Sequence, residues 1–186
     1  MKQTRTKISN LELTEKDEEY ILEGYFSKFN DETELFDGVF ERVSPEAFEG
    51  FENRDIRALV DHDPCKILGR TKNGTLKLEV DDVGLYGEVK INKRDSEAVN
   101  VYERIKRGDI NQCSFGFQIR DEEFEERSDK SVLFTFKEVD LFEVSVVTFP
   151  AYENTEINAR KKQVKEIDKR KLMLKKQELK ERLKKC

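Results

Sequence analysis

The chain has 186 residues, 36% of them hydrophobic and 40% charged, with 13 Phe and no Trp. That length supports one folded domain with an appendage, and no apolar run is long enough to form a transmembrane helix. The three cysteines, Cys65, Cys113 and Cys186, show neither metal-ligand spacing nor an even disulfide framework, and no apolar leader follows Met1-Lys2-Gln3-Thr4-Arg5; together these point to a soluble protein of a reducing, cytoplasmic compartment with no metal or other cofactor.

The net charge of −5 conceals an asymmetry. Residues 160–186 carry 13 Lys/Arg against 4 Asp/Glu, or +9, which leaves 22 basic and 36 acidic residues, or −14, in residues 1–159. An acidic body with a basic tail is an interaction pattern. The tail lacks Gly and Pro, and Val164, Ile167, Leu172, Leu179 and Leu183 form a sparse apolar stripe. It reads as a basic helix, marginal alone and stabilised by a partner. Nucleic acid is a weak candidate partner, because the tail has no aromatics and its basic residues are mixed with acids.

Residues 1–19 form a polar segment with Leu11 and Leu13 as the strong apolar pair. A first strand is predicted over Tyr20 to Phe29, a turn over Asn30 to Thr33, and a return strand over Phe36 to Val43 with Gly38 as a bulge. Ser44-Pro45-Glu46-Ala47-Phe48 has the N-cap and first-turn proline of a short helix. Short strands follow over Arg57 to Val60, Ile67 to Arg70, Leu76 to Val80 and Gly84 to Ile91, and the sole histidine, His62, lies where the first of these meets a turn. Residues 95–107 predict an amphipathic helix with Ala98, Val99, Tyr102 and Ile105 inward and Gly108 as its stop. Asn111 to Ile119 alternates as a strand, residues 120–130 read as a charged loop or hairpin tip, and Ser131 to Lys137 returns toward the most apolar stretch, Glu138 to Ala151. This spacing of strands, with few helices, predicts a mainly β, α+β domain built as a barrel or sandwich. The composition changes near residue 158, dividing the chain into a polar segment 1–19, a domain 20–158 and a basic tail 159–186.

Three residues carry candidate chemistry. In Cys113-Ser114-Phe115-Gly116-Phe117, alternation sends the phenylalanines and Cys113 into the core and Ser114 to the other face, beside the bare Gly116. Such a serine is a nucleophile or an ordinary polar residue of a solvated face. A serine nucleophile needs a base, and His62 is the one histidine available; otherwise it is a solvated residue between Asp61 and Asp63, either of which could orient it. Glu143 lies within Leu141-Phe142-Glu143-Val144-Ser145-Val146-Val147. Buried there it must pair or titrate, and a buried carboxylate on a histidine Nδ1–H would hold the base tautomer; exposed, it only meets water. Asp140 is the alternative third member, and Ser145 a weaker rival nucleophile.

The chain resembles the prohead maturation serine proteases of tailed phages, which are distantly similar to the herpesvirus assemblins. The likeness is carried in order by Gly24-Tyr25-Phe26, Val39, Ser44 to Phe48, Leu59-Val60-Asp61-His62-Asp63, Gly69, Asp82-Val83-Gly84-Leu85, Gly108, Cys113 to Phe117, and above all Val139 to Ala151. It implies a compact closed β-barrel of assemblin-like type with flanking helices. It also implies His62 as base, Ser114 as nucleophile and an acidic third member, placed at Glu143. The implied activity is that of a serine endopeptidase acting in the host cytoplasm inside the immature capsid. Its implied partners are the scaffold protein or segment, the N-terminal part of the major capsid protein, and the protease itself through oligomerisation or self-cleavage. The tail would be a docking segment, and no membrane is involved. The alternative from another class is a non-catalytic capsid-assembly or scaffolding protein on the same fold.

Overall fold

The computed structural model describes residues 3–8, 11–16, 19–149, 163–166, 169, 173 and 176. The chain divides into two units, Met1–Tyr152 and Glu153–Cys186. The described residues of the second unit have helical backbone; the basic helix expected across 159–186 otherwise lies outside the described residues. No helix among the described residues is long and apolar enough to cross a membrane.

The first unit is built from two open sheets. A seven-stranded sheet is centred on two long antiparallel strands, β10 (Gln112–Glu126) and β11 (Val132–Val147). β1 (Gln3–Ile8) lies antiparallel on the outer side of β10. The other side of β11 is shared by two parallel strands, β5 (Val39–Val43) along its first half and β6 (Arg57–Val60) along its second. β4 (Thr33–Phe36) flanks β5, and β7 (Asp63–Arg70) flanks β6. The four-stranded sheet has the order β2 (Glu12–Lys16), β3 (Glu19–Lys28), β9 (Gly84–Ile91) and β8 (Leu76–Val80).

The core joins Leu22, Phe26, Val89 and Ile91 of the second sheet to Phe115, Phe117, Val144 and Val146 of the first. A run of rings crosses it: Phe48 lies 5.5 Å from Phe115, Phe115 4.7 Å from Phe117, and Phe117 5.3 Å from Phe136. These contacts fix β10 as a rigid strand, because its inward positions are large rings held on several sides. α1 (Ser96–Arg107) is capped by the Asp95 carboxylate, which accepts from the Glu97 and Ala98 backbone N–H groups. Gly108 ends it as expected, but Val101 joins Ala98, Tyr102 and Ile105 in the core, while Val99 is half-buried.

The mainly β architecture agrees with expectation, but the closed barrel does not: among the described residues neither sheet closes on itself. Regularly spaced short strands fit two open sheets as well as a barrel, and spacing says nothing about which edges meet. Three local expectations also change. Residues 36–43 are not the return strand of β3; β4 and β5 form their own hairpin, and Gly38, at φ +73°, is in its turn rather than in a bulge. The charged stretch 120–126 continues β10, pairing with β11 as far as Glu126, so the turn falls over residues 127–131. Within the polar segment 1–19, β1 and β2 each add a strand to a different sheet.

Candidate active site

β10 and β11 pair with Ser114 opposite Ser145 and Gly116 opposite Glu143, so strand alternation sets all four on one face. Gly116 leaves room for its neighbour. A Cβ built there would lie 2.0 Å from Glu143 Oε1 and 2.8 Å from Glu143 Cδ. The bare patch beside Ser114 therefore admits the glutamate carboxylate.

His62 comes from the β6–β7 hairpin. Val60 pairs with Asp63, which leaves Asp61 and His62 as a two-residue turn. Both have positive φ, +50° and +59°, as a type I′ turn requires and as few non-glycine residues adopt. Asp61 secures the turn: its N–H donates to the Val146 carbonyl (2.9 Å), and its carboxylate accepts from the Thr148 N–H (2.7 Å) and hydroxyl (3.0 Å). The turn thereby anchors to the end of β11 and aims the imidazole back along that strand.

The imidazole meets Glu143. His62 Nδ1 lies 2.8 Å from Glu143 Oε1, and the Ser145 hydroxyl donates to Oε2 at 2.6 Å. Glu143 is 2% exposed, so its carboxylate is removed from water with both oxygens engaged. In the neutral imidazole, an acceptor opposite Nδ1 makes that nitrogen the N–H and leaves the lone pair on Nε2. Nε2 is buried and has no hydrogen-bond partner among the described residues. Ser114 is fully buried and donates its hydroxyl to the Arg5 carbonyl of β1 at 2.7 Å, not to His62.

The sequence model of the family described as caudovirus prohead serine protease matches residues 6–170. The chain belongs to the caudovirus prohead serine protease family. It is 31% identical over 103 residues to the prohead protease of Escherichia phage T5, a match covering 55% of this chain and 45% of that protein. It thus spans less than half of that relative's length. The structure of the bacteriophage T4 capsid assembly protease superposes with a TM-score of 0.55 at 11% identity, covering 80% of this chain and 98% of that one, which is a likeness of fold.

Within this prohead protease fold, the remaining candidates take other parts. Asp140 is buried between the Arg54 and Arg120 guanidinium groups, so it is engaged away from His62. Burial works to raise its pKa, but the two arginines outweigh that and hold the carboxyl below the usual carboxylate range. Ser145 holds Glu143 and is fully buried. Cys113 is buried in the core, as alternation predicts. Asp63 accepts the Cys65 backbone N–H at 2.9 Å. Among the described residues no His, Cys, Asp and Glu side chains cluster as a metal site.

Asp140→Asn is therefore expected to leave kcat within about threefold of wild type, measured on a peptide substrate, while lowering stability by about 1–2 kcal/mol at neutral pH. A carboxyl held below its unfolded pKa adds stability that is whole above about pH 4 and lost as pH falls through the folded value. Thermal melts of this variant should accordingly show a shallower fall on acidification.

Sequence reasoning missed three contributions. It weighed Ser145 as a nucleophile, although an i, i+2 partner on the glutamate's own face was the available signal. It considered Asp61 as a direct orienter of His62, whereas Asp61 acts through the turn. It gave β1 no role, although the β-branched Thr4, Thr6 and Ile8 recur at period two.

Proposed function

We propose that this chain is a serine endopeptidase of capsid maturation, with Ser114 as nucleophile, His62 as base and Glu143 as the group that orients the imidazole. The observation that carries the reading is the buried Glu143 carboxylate 2.8 Å from His62 Nδ1, which leaves Nε2 basic. In the working state Ser114 Oγ attacks a peptide carbonyl carbon while His62 Nε2 takes its proton. The imidazolium, stabilised by Glu143, returns that proton to the leaving amine as the C–N bond breaks. Water then attacks the acyl-enzyme with His62 again as base, releasing the acid and restoring the serine. The substrates proposed are the scaffold protein or segment, the N-terminal part of the major capsid protein, and the chain itself, inside the immature capsid.

The test is intact mass over time for the wild type beside Ser114→Ala, with assembled prohead components present. Shortening of the wild type alone, including a cut near the change of composition at residue 158, is expected. If both stay whole under those conditions, the non-catalytic assembly reading takes its place. If both shorten alike, Ser114 is not the nucleophile.

A further inference from the structure

Two features of β1 have no part in the chemistry above. Its backbone runs antiparallel along β10 from Gln3 opposite Phe117 to Ile8 opposite Gln112, with Thr6 opposite Ser114, and the Arg5 carbonyl accepts a hydrogen bond from the Ser114 hydroxyl. Independently, the Arg5 side chain is driven inward. It is 7% exposed, its guanidinium pairs with the buried Glu41 carboxylate, with Nη2 3.0 Å from Oε1, and it sits 5.8 Å from the centroids of both Phe117 and Phe136. A buried arginine held by a carboxylate and two ring faces is a strong anchor. It fixes the strand whose carbonyl covers Ser114.

We infer that the outer edge of β10 is a peptide-binding site for an extended strand carrying an arginine, and that β1 occupies it from within the same chain. The inference rests on the reading of Ser114 as nucleophile. β1 is an edge strand that pairs only with β10 among the described residues, so its departure breaks no other ladder. It would open a row of backbone donors and acceptors beside Ser114, the surface on which β-strand addition works. Glu41, Phe117 and Phe136 form the side-chain recognition element of that site. While β1 is seated, Ser114 is covered and its proton is committed to the Arg5 carbonyl, leaving the buried His62 Nε2 unpartnered. The seated chain is latent, and displacement of β1 releases the hydroxyl to His62.

The test is the rate at which a fluorophosphonate, a small reagent that needs no peptide recognition, labels Ser114 in the full chain. Arg5→Ala/Glu41→Gln removes the anchor without leaving a lone buried carboxylate, and Lys7→Pro, two residues on from Arg5 and so with its N–H also toward β10, breaks the ladder while keeping the anchor. Both, checked for a cooperative melt, should label at least tenfold faster than wild type. A synthetic peptide of residues 1–10 should bind the folded Lys7→Pro variant by fluorescence anisotropy and suppress its labelling, and the same peptide with Arg5→Ala should bind at least tenfold more weakly. Equal labelling of wild type and a folded variant overturns the latency. Equal binding of the two peptides overturns the arginine site. If the peptide binds selectively but Ser114 never labels in any variant, the strand site stands and the nucleophile reading falls.

Discussion

Glu143→Gln is expected to lower kcat on a peptide substrate by about 10³- to 10⁴-fold with little change in KM. In the proposed mechanism the carboxylate does two things: it fixes which imidazole nitrogen carries the proton, and it offsets the charge of the imidazolium formed in the transition state. The glutamine keeps the shape and loses the charge. Its orientation then falls to Ser145, whose hydroxyl donates to Glu143 Oε2 at 2.6 Å. That hydroxyl can rotate to accept from the amide NH₂, which leaves the amide oxygen facing His62 Nδ1 and preserves the productive tautomer. The same hydroxyl can instead keep donating, now to the amide oxygen, which turns the NH₂ to Nδ1 and transfers the proton to Nε2, so the single variant populates both tautomers. Ser145→Ala alone, which leaves the carboxylate in place, is expected to lose less than about tenfold. Steady-state kinetics checks the rates, and ¹⁵N imidazole shifts of His62 report the tautomer directly. A Glu143→Gln enzyme within threefold of wild type would remove Glu143 from the mechanism.

The parts of this site that were legible in the sequence are those governed by strand alternation. Ser114, Gly116, Glu143 and Ser145 lie on two strands of period two, so their sharing a face follows from parity once β10 and β11 are paired. The pairing itself is a long-range fact that parity does not contain. His62 could be placed at a strand end from Val60 and Pro64, but its aim depends on two positive φ angles and on the bond from Asp61 to Thr148, 87 residues away. Asp140 and Glu143 were competing acids because local pattern gives both a buried neighbourhood. Arg54 and Arg120 engage Asp140 away from His62, and Arg54 arrives from a loop far away in sequence. The barrel failed for a related reason: closure depends on which edges meet, and β11 divides one side between two parallel strands. β1 was passed over because a charged, polar strand gains its partner and its buried arginine only from tertiary contact.

Gly116→Ala is expected to give a folded, destabilised and inactive protein. Glycine in a strand interior normally weakens the strand, and alanine would improve it by a few tenths of a kcal/mol up to about 1 kcal/mol. Here the added methyl would lie 2.0 Å from Glu143 Oε1 and 3.0 Å from Cγ, so the glutamate must move. The β10 backbone is less free to yield, because Phe115 and Phe117 on either side are fully buried. The cheaper response is rotation of Glu143 away from the strand, which breaks its bonds to His62 and Ser145 and leaves a buried carboxylate poorly partnered. The net loss should be about 2–4 kcal/mol, seen as a lower urea midpoint with an unchanged slope. kcat should fall at least about 10²-fold, since the imidazole loses its orienting group. The decisive measurement is the double-mutant cycle with Glu143→Ala. If the clash with the carboxylate is the cause, Gly116→Ala becomes nearly neutral in the Glu143→Ala background, with a coupling of about 2–4 kcal/mol, equal to its cost in the wild type. If the two losses add, the alanine acts on the β10 backbone instead, and the glycine is there for the strand rather than for the glutamate.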